Sequence, residues 1–320
     1  MGFLYSQLFV TPAYPEHSFA GQTVIVTGSN VGLGLEAARH ITRLGAAKVI
    51  LAVRNLAAGE EARQSIKKST GREDVCEVWE LDLASYSSVI DFARRASQLP
   101  RLDVVIENAA VVAAKYGTAE GHELTMTVNV INTMFLALLL LPTLNETAAK
   151  FAGIRPRLSI VVSEVHAWTS LPERKQNNIF AALDDKENWD SNQRYPTSKL
   201  LEVLIIRELA ARMPADSRVV VNMHNPGLCH SQLGRDAGWG LWLLKQLLAR
   251  STEVGSRTLV AGAAGGTESH GAYMTDGNVA NEALSPFVRS VEGEETQKRI
   301  WNELSDILEE VYPGVMKNVT

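Results

Sequence analysis

The sequence predicts an α/β fold, a single doubly wound parallel sheet with helices on both faces. Three observations predict it. Short β-branched runs alternate with segments of helical period through most of the chain. Near the start, a strand runs into a glycine loop and then a helix, Val24-Ile25-Val26-Thr27-Gly28-Ser29-Asn30-Val31-Gly32-Leu33-Gly34. The residues that follow successive strands are Gly28, Arg54, Asp82, Asn108, Ser163 and Pro226. They are polar, small or turn-forming, as befits the carboxyl edge where open α/β sheets bind ligands.

The elements follow in order. Strand Thr23–Thr27 leads to a helix over Leu35–Leu44, with Leu35, Ala38, Ile41 and Thr42 at helical spacing. Strand Lys48–Val53 leads to helix Leu56–Ser69, and strand Val75–Leu81 to helix Ser85–Leu99. Strand Asp103–Glu107 leads through Asn108-Ala109-Ala110 to a long helix over about His122–Leu144. Strand Leu158–Val162 ends at Ser163, and a polar stretch, Leu171–Arg194, precedes helix Tyr195–Arg212. Strand Val219–His224 runs into Asn225-Pro226-Gly227. Beyond it, Leu241–Leu248 is strongly apolar, Glu253–Ala264 reads as a helix, and Gly271–Met274 as a last short strand. Ile300, Trp301, Leu304, Ile307, Leu308 and Val311 predict a terminal helix packed on the core. No repeat or Pro/Ser-rich linker divides the chain. The expected organisation is an extension over residues 1–20 and one domain over 21–320, containing an insert at 171–194 and a lid segment at 231–256.

Composition narrows the function. The chain has 320 residues, 46% hydrophobic and 21% charged, which suits a globular protein with a sizeable core. Its net charge of −5 gives no electrostatic footprint for nucleic acid. Cys76 and Cys229 form neither a metal cluster nor a disulfide framework, so a reducing, cytoplasmic setting without a metal is expected. The apolar start, Gly2 to Val10, lacks a positive flank and stops before Pro12 and Pro15. A spanning helix needs about 20 apolar residues, and the run Met134–Leu141 falls short. No transmembrane segment is expected. The extension reads as packed on the domain or resting on a membrane surface.

Chemistry attaches to particular residues. In the loop, Gly28 suits a tight turn, Gly32 a close approach to a diphosphate, and Gly34 close packing of helix on strand; backbone N–H groups and the helix N-terminus would meet the phosphate. Arg54, followed by Asn55, lies where a dinucleotide site carries either an acid for the ribose or a base for a 2′-phosphate. A guanidinium there favours NADP(H). Asp82, with Leu83, reads as an adenine contact, as the N-cap of the next helix, or as both. Tyr195 and Lys199 share a helix face. Bringing a tyrosine from about 10 to neutrality takes about 4 kcal/mol, which one ammonium about 4 Å away supplies at an effective dielectric of about 20. Ser163 either donates to a substrate oxygen or satisfies a strand end. Asn129, inside an apolar helix, either bridges to Lys199 through water or is structural. A serine–lysine hydrolase is disfavoured, since no nucleophile elbow surrounds Ser163.

Together these residues resemble the short-chain dehydrogenase/reductase family over about Gly21–Ser231. Thr27-Gly28-x-x-x-Gly32-x-Gly34 matches its cofactor loop. Asp82-Leu83, Asn108-Ala109-Ala110, Asn129, Ser163, Tyr195-x-x-x-Lys199 and Pro226-Gly227 match its later motifs in order. The finer pattern looks like the retinol-dehydrogenase-like branch and is similar to fungal members associated with secondary metabolism. The resemblance implies a Rossmann-type sheet and a catalytic set of Asn129, Ser163, Tyr195 and Lys199. Tyr195 would be the proton donor, Lys199 would lower its pKa and hold the nicotinamide ribose, Ser163 would orient the carbonyl, and Asn129 would hold a relay water. It implies a cofactor set of Gly28, Ser29, Asn30, Gly32, Leu33, Gly34, Arg54, Asn55, Asp82, Leu83, Asn108, Ala109, Ala110, Tyr195, Lys199, Pro226, Gly227, Leu228 and Ser231. Departures are Glu107 where asparagine is usual, Val162 where a serine is common, His230 beside Ser231, and a longer Ser163–Tyr195 separation.

The expected activity is NADP(H)-dependent oxidoreduction between a ketone and a secondary alcohol, on a bulky apolar small molecule resembling a secondary metabolite, retinoid or steroid. The rival is an idle NADP(H) sensor or scaffold on the same fold. Trp239, Leu241, Trp242, Leu243, Leu244, Leu247 and Leu248 fit a substrate lid, a peripheral membrane contact, an oligomer interface such as a homodimer's, or plain core.

Overall fold

The structure, a computed structural model, describes residues 3–230 and 248–319. Helix α1 (Phe3–Phe9) precedes the alternating units β1 (Thr23–Thr27), α2 (Gly32–Arg43), β2 (Lys48–Val53), α3 (Leu56–Thr70), β3 (Cys76–Glu80), α4 (Tyr86–Ala96) and β4 (Val104–Glu107). A small hairpin, β5 (Thr118–Ala119) and β6 (His122–Glu123), leads into a π-helical turn, Met126–Ile131, and α5 (Asn132–Lys150). Then come β7 (Arg157–Val161), α6 (Ile179–Leu183), α7 (Ser191–Arg212), β8 (Val220–Asn225), α8 (Thr252–Ala264), β9 (Tyr273–Thr275), β10 (Asn278–Val279) and α9 (Val291–Val311).

The main sheet has the order β10-β9-β8-β7-β4-β1-β2-β3. All pairings are parallel except β9 with β10. Strand order reverses between β1 and β4, so the crevice at their carboxyl ends is the topological switch point. Side-chain alternation divides the core. Ile25, Ile50, Val105, Leu158, Ile160 and Val221 face the side covered by α4, α5, α7 and α9. Val24, Val26, Leu51, Ile106 and Val161 face the side covered by α2 and α8. All of β1 is buried, because helices cover both of its faces.

The predicted α/β alternation is present, with changes at specific places. The predicted long helix begins later and ends later, because His122 and Glu123 pair with Ala119 and Thr118 in the hairpin. The last strand is followed by antiparallel β10, which the sequence reading omitted. Helix α2 starts at Gly32 and α7 at Ser191, the latter capped by Asp190, whose side chain accepts the N–H of Asn192. Among the described residues, one helical stretch, Met126–Lys150, is long and apolar enough to cross a membrane, with a mean hydropathy of 1.8, but 89% of its apolar 18-residue window is buried inside the protein. The apolar run read from the sequence was only its middle.

The amino-terminal extension packs on the domain. Its Gln7 side chain is buried and donates to the carbonyls of Leu228 (3.0 Å) and Leu248 (2.8 Å), while accepting the N–H of Leu228 (3.0 Å). Buried Arg250 ties the same corner together through the carbonyl of Val10 and the Asp276 carboxylate. The 171–194 insert is also folded in. Ile179, Phe180 and Leu183 are buried, and Glu303 of α9 accepts the N–H groups of Ile179 and Phe180. Ser231 and the tryptophan- and leucine-rich run Trp239–Leu247, assigned to cofactor contact and lid, lie outside the described residues.

Candidate active site

The glycine loop is held by neutral hydrogen bonds. The Gly28 N–H continues the sheet to the Ala52 carbonyl (2.8 Å), and the Ser29 hydroxyl, fully buried, donates to the Val26 carbonyl (2.8 Å). The Thr27 hydroxyl accepts the N–H groups of Asn108 and Ala109, both at 2.9 Å. Asn108 in turn donates its amide to the Thr27 carbonyl (2.9 Å). Gly28 adopts φ 64° and Gly32 φ 65°, a region that side chains disfavour. A Cβ on Gly28 would lie 3.0 Å from the Cα of Ala109; one on Gly34 would lie 2.6 Å from both the Gly28 carbonyl oxygen and the Asn108 amide. Gly34 therefore admits Asn108 and the loop itself, rather than simply seating helix on strand as the sequence suggested. Helix α2 begins after Val31 with no side-chain cap. Its first N–H groups are left for an anion, which fits the phosphates of a dinucleotide. Asn30 and Leu33 are half-buried beside them.

Around this cradle, Arg54 is exposed and makes no hydrogen bond or ion pair among the described residues. Asn55 has a structural task as N-cap of α3, accepting the Ala58 N–H at 3.1 Å. Asp82 does not cap α4; that residue is Ser85. The Asp82 carboxylate instead accepts the Ala84 N–H (2.9 Å) in the preceding turn. Leu83 is buried in the core, and its carbonyl accepts the Asn132 amide (2.8 Å). Ala110 is half-buried after Ala109.

Across the crevice, Tyr195 and Lys199 share one face of α7. The Lys199 ammonium lies 5.7 Å from the Tyr195 ring centre and donates to the Val161 carbonyl (2.9 Å) at the end of β7. That bond lays the Tyr195/Lys199 face of α7 on the strand end that carries Ser163. The Ser163 side chain accepts a long 3.4 Å contact from the Val165 N–H, and its carbonyl accepts from His166 Nδ1 (2.8 Å). His166 Nε2 accepts the Ser285 N–H (3.1 Å), which fixes a neutral ring with the proton on Nδ1. Burial lowers its pKa accordingly. Asn129 is fully buried within the π-helical turn. Its side chain accepts the Val111 N–H (2.8 Å) and donates to the Val111 carbonyl (3.0 Å) and the Ser198 hydroxyl (3.1 Å). The amide thus braces α7 against the chain after β4; none of these bonds goes to Lys199.

Pro226, Gly227 and Leu228 form the far wall. Asn225 Oδ1 accepts the N–H groups of Gly227 (3.0 Å) and Glu164 (3.3 Å), linking this wall to the serine loop. Gly227 has φ 73°, and a Cβ there would strike the Gln7 side chain.

The sequence reading missed the charges beneath Lys199. Its ammonium lies 3.1 Å from Glu202 Oε1 and 2.7 Å from Oε2, in an ion pair whose side chains are 3% and 2% exposed. Glu107, noticed only as a departure, is buried with both carboxyl oxygens lacking a hydrogen-bond partner. Burial, and then the Glu202 charge, raise its pKa well above the carboxylate range. Burial likewise raises Glu202 to about 7, against the pull of Lys199. Burial, with the Glu202 carboxylate second, raises the Tyr195 hydroxyl. Lys199 alone was expected to lower that hydroxyl; here its charge is shared with a carboxylate. The one signal available was spacing, since Glu202 follows Lys199 by three residues within the otherwise apolar run Leu200–Ile206.

The chain is similar to known proteins over nearly its whole length. The family model for short chain dehydrogenases matches residues 22–153. The short chain dehydrogenase/reductase dmxR8 of Cryptosporiopsis sp. is 50% identical, covering 99% of this chain and 100% of that protein. The short-chain dehydrogenase anuD of Penicillium roqueforti is 45% identical over 98% of this chain and 84% of its own. The similarity to fungal members is borne out. Among solved structures, a Mycobacterium paratuberculosis protein superposes with a TM-score of 0.68 at 24% identity, covering 95% of this chain and 97% of its own. The Pseudomonas aeruginosa RhlG/NADP active-site complex gives 0.63 at 20%, covering 82% and 97%. At such identities these two speak for the fold alone.

Proposed function

The chain belongs to the short-chain dehydrogenase/reductase family, and from that premise we propose that it is an NADP(H)-dependent oxidoreductase interconverting a ketone and a secondary alcohol on a bulky apolar small molecule. The observation that carries the reading is the Lys199–Val161 bond, which joins the Tyr195/Lys199 face to the Ser163 strand end at the sheet's carboxyl edge. When bound, the dinucleotide supplies or accepts the hydride.

The chain's own residues do the rest. The loop from Gly28 to Gly34 and the uncapped start of α2 hold the diphosphate. Arg54, exposed and unengaged among the described residues, meets the 2′-phosphate. Asp82 meets the adenine, and Asn108, Ala109 and Ala110 shape the wall between β1 and β4. Pro226, Gly227 and Leu228 flank the nicotinamide. Ser163 donates to the substrate oxygen. Tyr195 holds a proton at Oη, kept there by burial, and delivers it to that oxygen during reduction. Asn129 keeps α7 in register for this contact. The NADP complexes among the solved relatives support the cofactor choice only by analogy.

Two measurements test the reading. Tyr195→Phe is expected to keep nucleotide affinity and lose about 100-fold or more of turnover with a ketone substrate, the scale of general acid catalysis. Unchanged turnover overturns the mechanism. NADPH should bind more tightly than NADH, and Arg54→Ala should erase most of that difference. Equal affinities that ignore Arg54 overturn the cofactor choice.

A further inference from the structure

Beneath the proposed catalytic face lies a cluster that this reading does not use. Glu107 ends β4, and sheet alternation points it to the same side as Val105, the side that α4, α5, α7 and α9 cover. Glu202 lies on α7, bonded to Lys199. Both carboxyls are buried, and neither oxygen of Glu107 has a hydrogen-bond partner. Two buried carboxylates on the sheet face that α7 covers, with a single ammonium paired to one of them, cannot both be ionised at modest cost. The arrangement is satisfied by one proton and one negative charge. The proton belongs on Glu107, which has no cation beside it, and the charge on Glu202, which has Lys199.

The consequence reaches Tyr195. An ammonium alone would stabilise a tyrosinate. An ammonium paired at 2.7 Å with a buried carboxylate presents little net charge to it. We propose that Glu202, backed by a protonated Glu107, is a positioning residue that governs how much of the Lys199 charge reaches the Tyr195 hydroxyl. With Glu202 ionised, the Tyr195 hydroxyl holds its proton more tightly than it would beside an unpaired ammonium.

The groups facing this pair are few among the described residues. Lys199 and Tyr195 come from α7 itself, and Glu107 from β4. From β7 comes only the Val161 carbonyl. On the far side of the sheet, His224 of β8 is kept neutral, its pKa lowered to about 3 by burial and by Lys199, while its Nδ1 lies 3.0 Å from the Ser159 hydroxyl. Asn129, on the turn before α5, carries no charge. Glu202 is therefore the counter-charge of Lys199.

This inference rests on Tyr195 being the proton donor, but its test uses the cofactor-free full chain and no substrate. Ultraviolet difference absorbance of each protein against its own Tyr195→Phe counterpart reads the ionisation of Tyr195 alone. Glu202→Gln should increase the acid constant of Tyr195 at least about tenfold, one pH unit. An unchanged titration in a folded Glu202→Gln protein overturns the proposal. Infrared spectra give a second readout that holds even if Glu202→Gln does not fold. Wild-type protein at neutral pH should show the carbonyl stretch of a buried protonated carboxylic acid, lost in Glu107→Gln. A wild-type spectrum without that band overturns the pairing. If instead Tyr195→Phe retains full turnover, the proposed function falls, while these titrations still report on the charge pair.

Discussion

The two ends of the crevice are built from different materials. At the glycine loop, the described hydrogen bonds come from backbone, hydroxyl and amide groups: Thr27, Gly28, Ser29 and Asn108. At the other end, Lys199, Glu202 and Glu107 are ionisable and buried. The difference follows from the tasks. Binding a phosphate needs donors that stay put, and backbone N–H groups at a helix start supply them without a buried charge. Moving a proton near neutral pH needs groups whose pKa is shifted, and desolvation shifts them most. The first end is stabilised by geometry, the second by compensation among charges. Substitutions at the two ends should therefore fail differently.

The largest expected effect is at the charged end. Lys199→Met leaves the Glu202 carboxylate buried without its cation, a change that costs about 3–5 kcal/mol where measured in other proteins. Chemical denaturation should show that loss, and Lys199→Met/Glu202→Gln should recover much of it. If the double variant is no more stable than the single one, the ion pair is not what balances this end.

Next in size is the pH response. Glu107 and Glu202 have folded-state pKa values above the usual 4.5, so their contribution to stability is full below that value. It is lost as pH rises through the folded values. For Glu202, raised to about 7, the loss on crossing that window is on the order of 3 kcal/mol. Urea midpoints should fall between pH 5 and about 8 in the wild type, and less in Glu107→Gln or Glu202→Gln. A slope that neither substitution alters would assign the pH response to other groups.

At the neutral end, Gly34→Ala places a methyl 2.6 Å from the Asn108 amide and the Gly28 carbonyl. The loop must shift, so nucleotide affinity should drop at least about tenfold, about 1.4 kcal/mol, with no new pH dependence. Calorimetric titration with NADPH measures it. A pH-dependent loss would blur the contrast between the ends. The smallest effect on stability is that of Arg54→Ala, within about 0.5 kcal/mol, because the side chain is exposed and touches no charged neighbour among the described residues. Its effect should appear in NADPH binding alone.

The sequence determined the alternation of strands and helices, the glycine loop and the order of the strand-end residues. Each is a local signal, carried by β-branched runs, helical periodicity and residues that tolerate φ above zero. It also determined that Tyr195 and Lys199 share a face, because four residues is one turn of helix. Tertiary structure decided what surrounds them. That Asp82 braces a turn and Ser85 caps α4 depended on where the first turn of α4 began. That Gln7 reaches the Pro226–Leu228 wall required a contact across 221 positions. That Glu107 is buried on the sheet face that α7 covers, and that Lys199 there is paired with Glu202, required the sheet and that helix to come together. The physical reason is range: backbone preference and periodicity act over a few residues, whereas the field felt by a buried proton is summed over groups that only folding brings together.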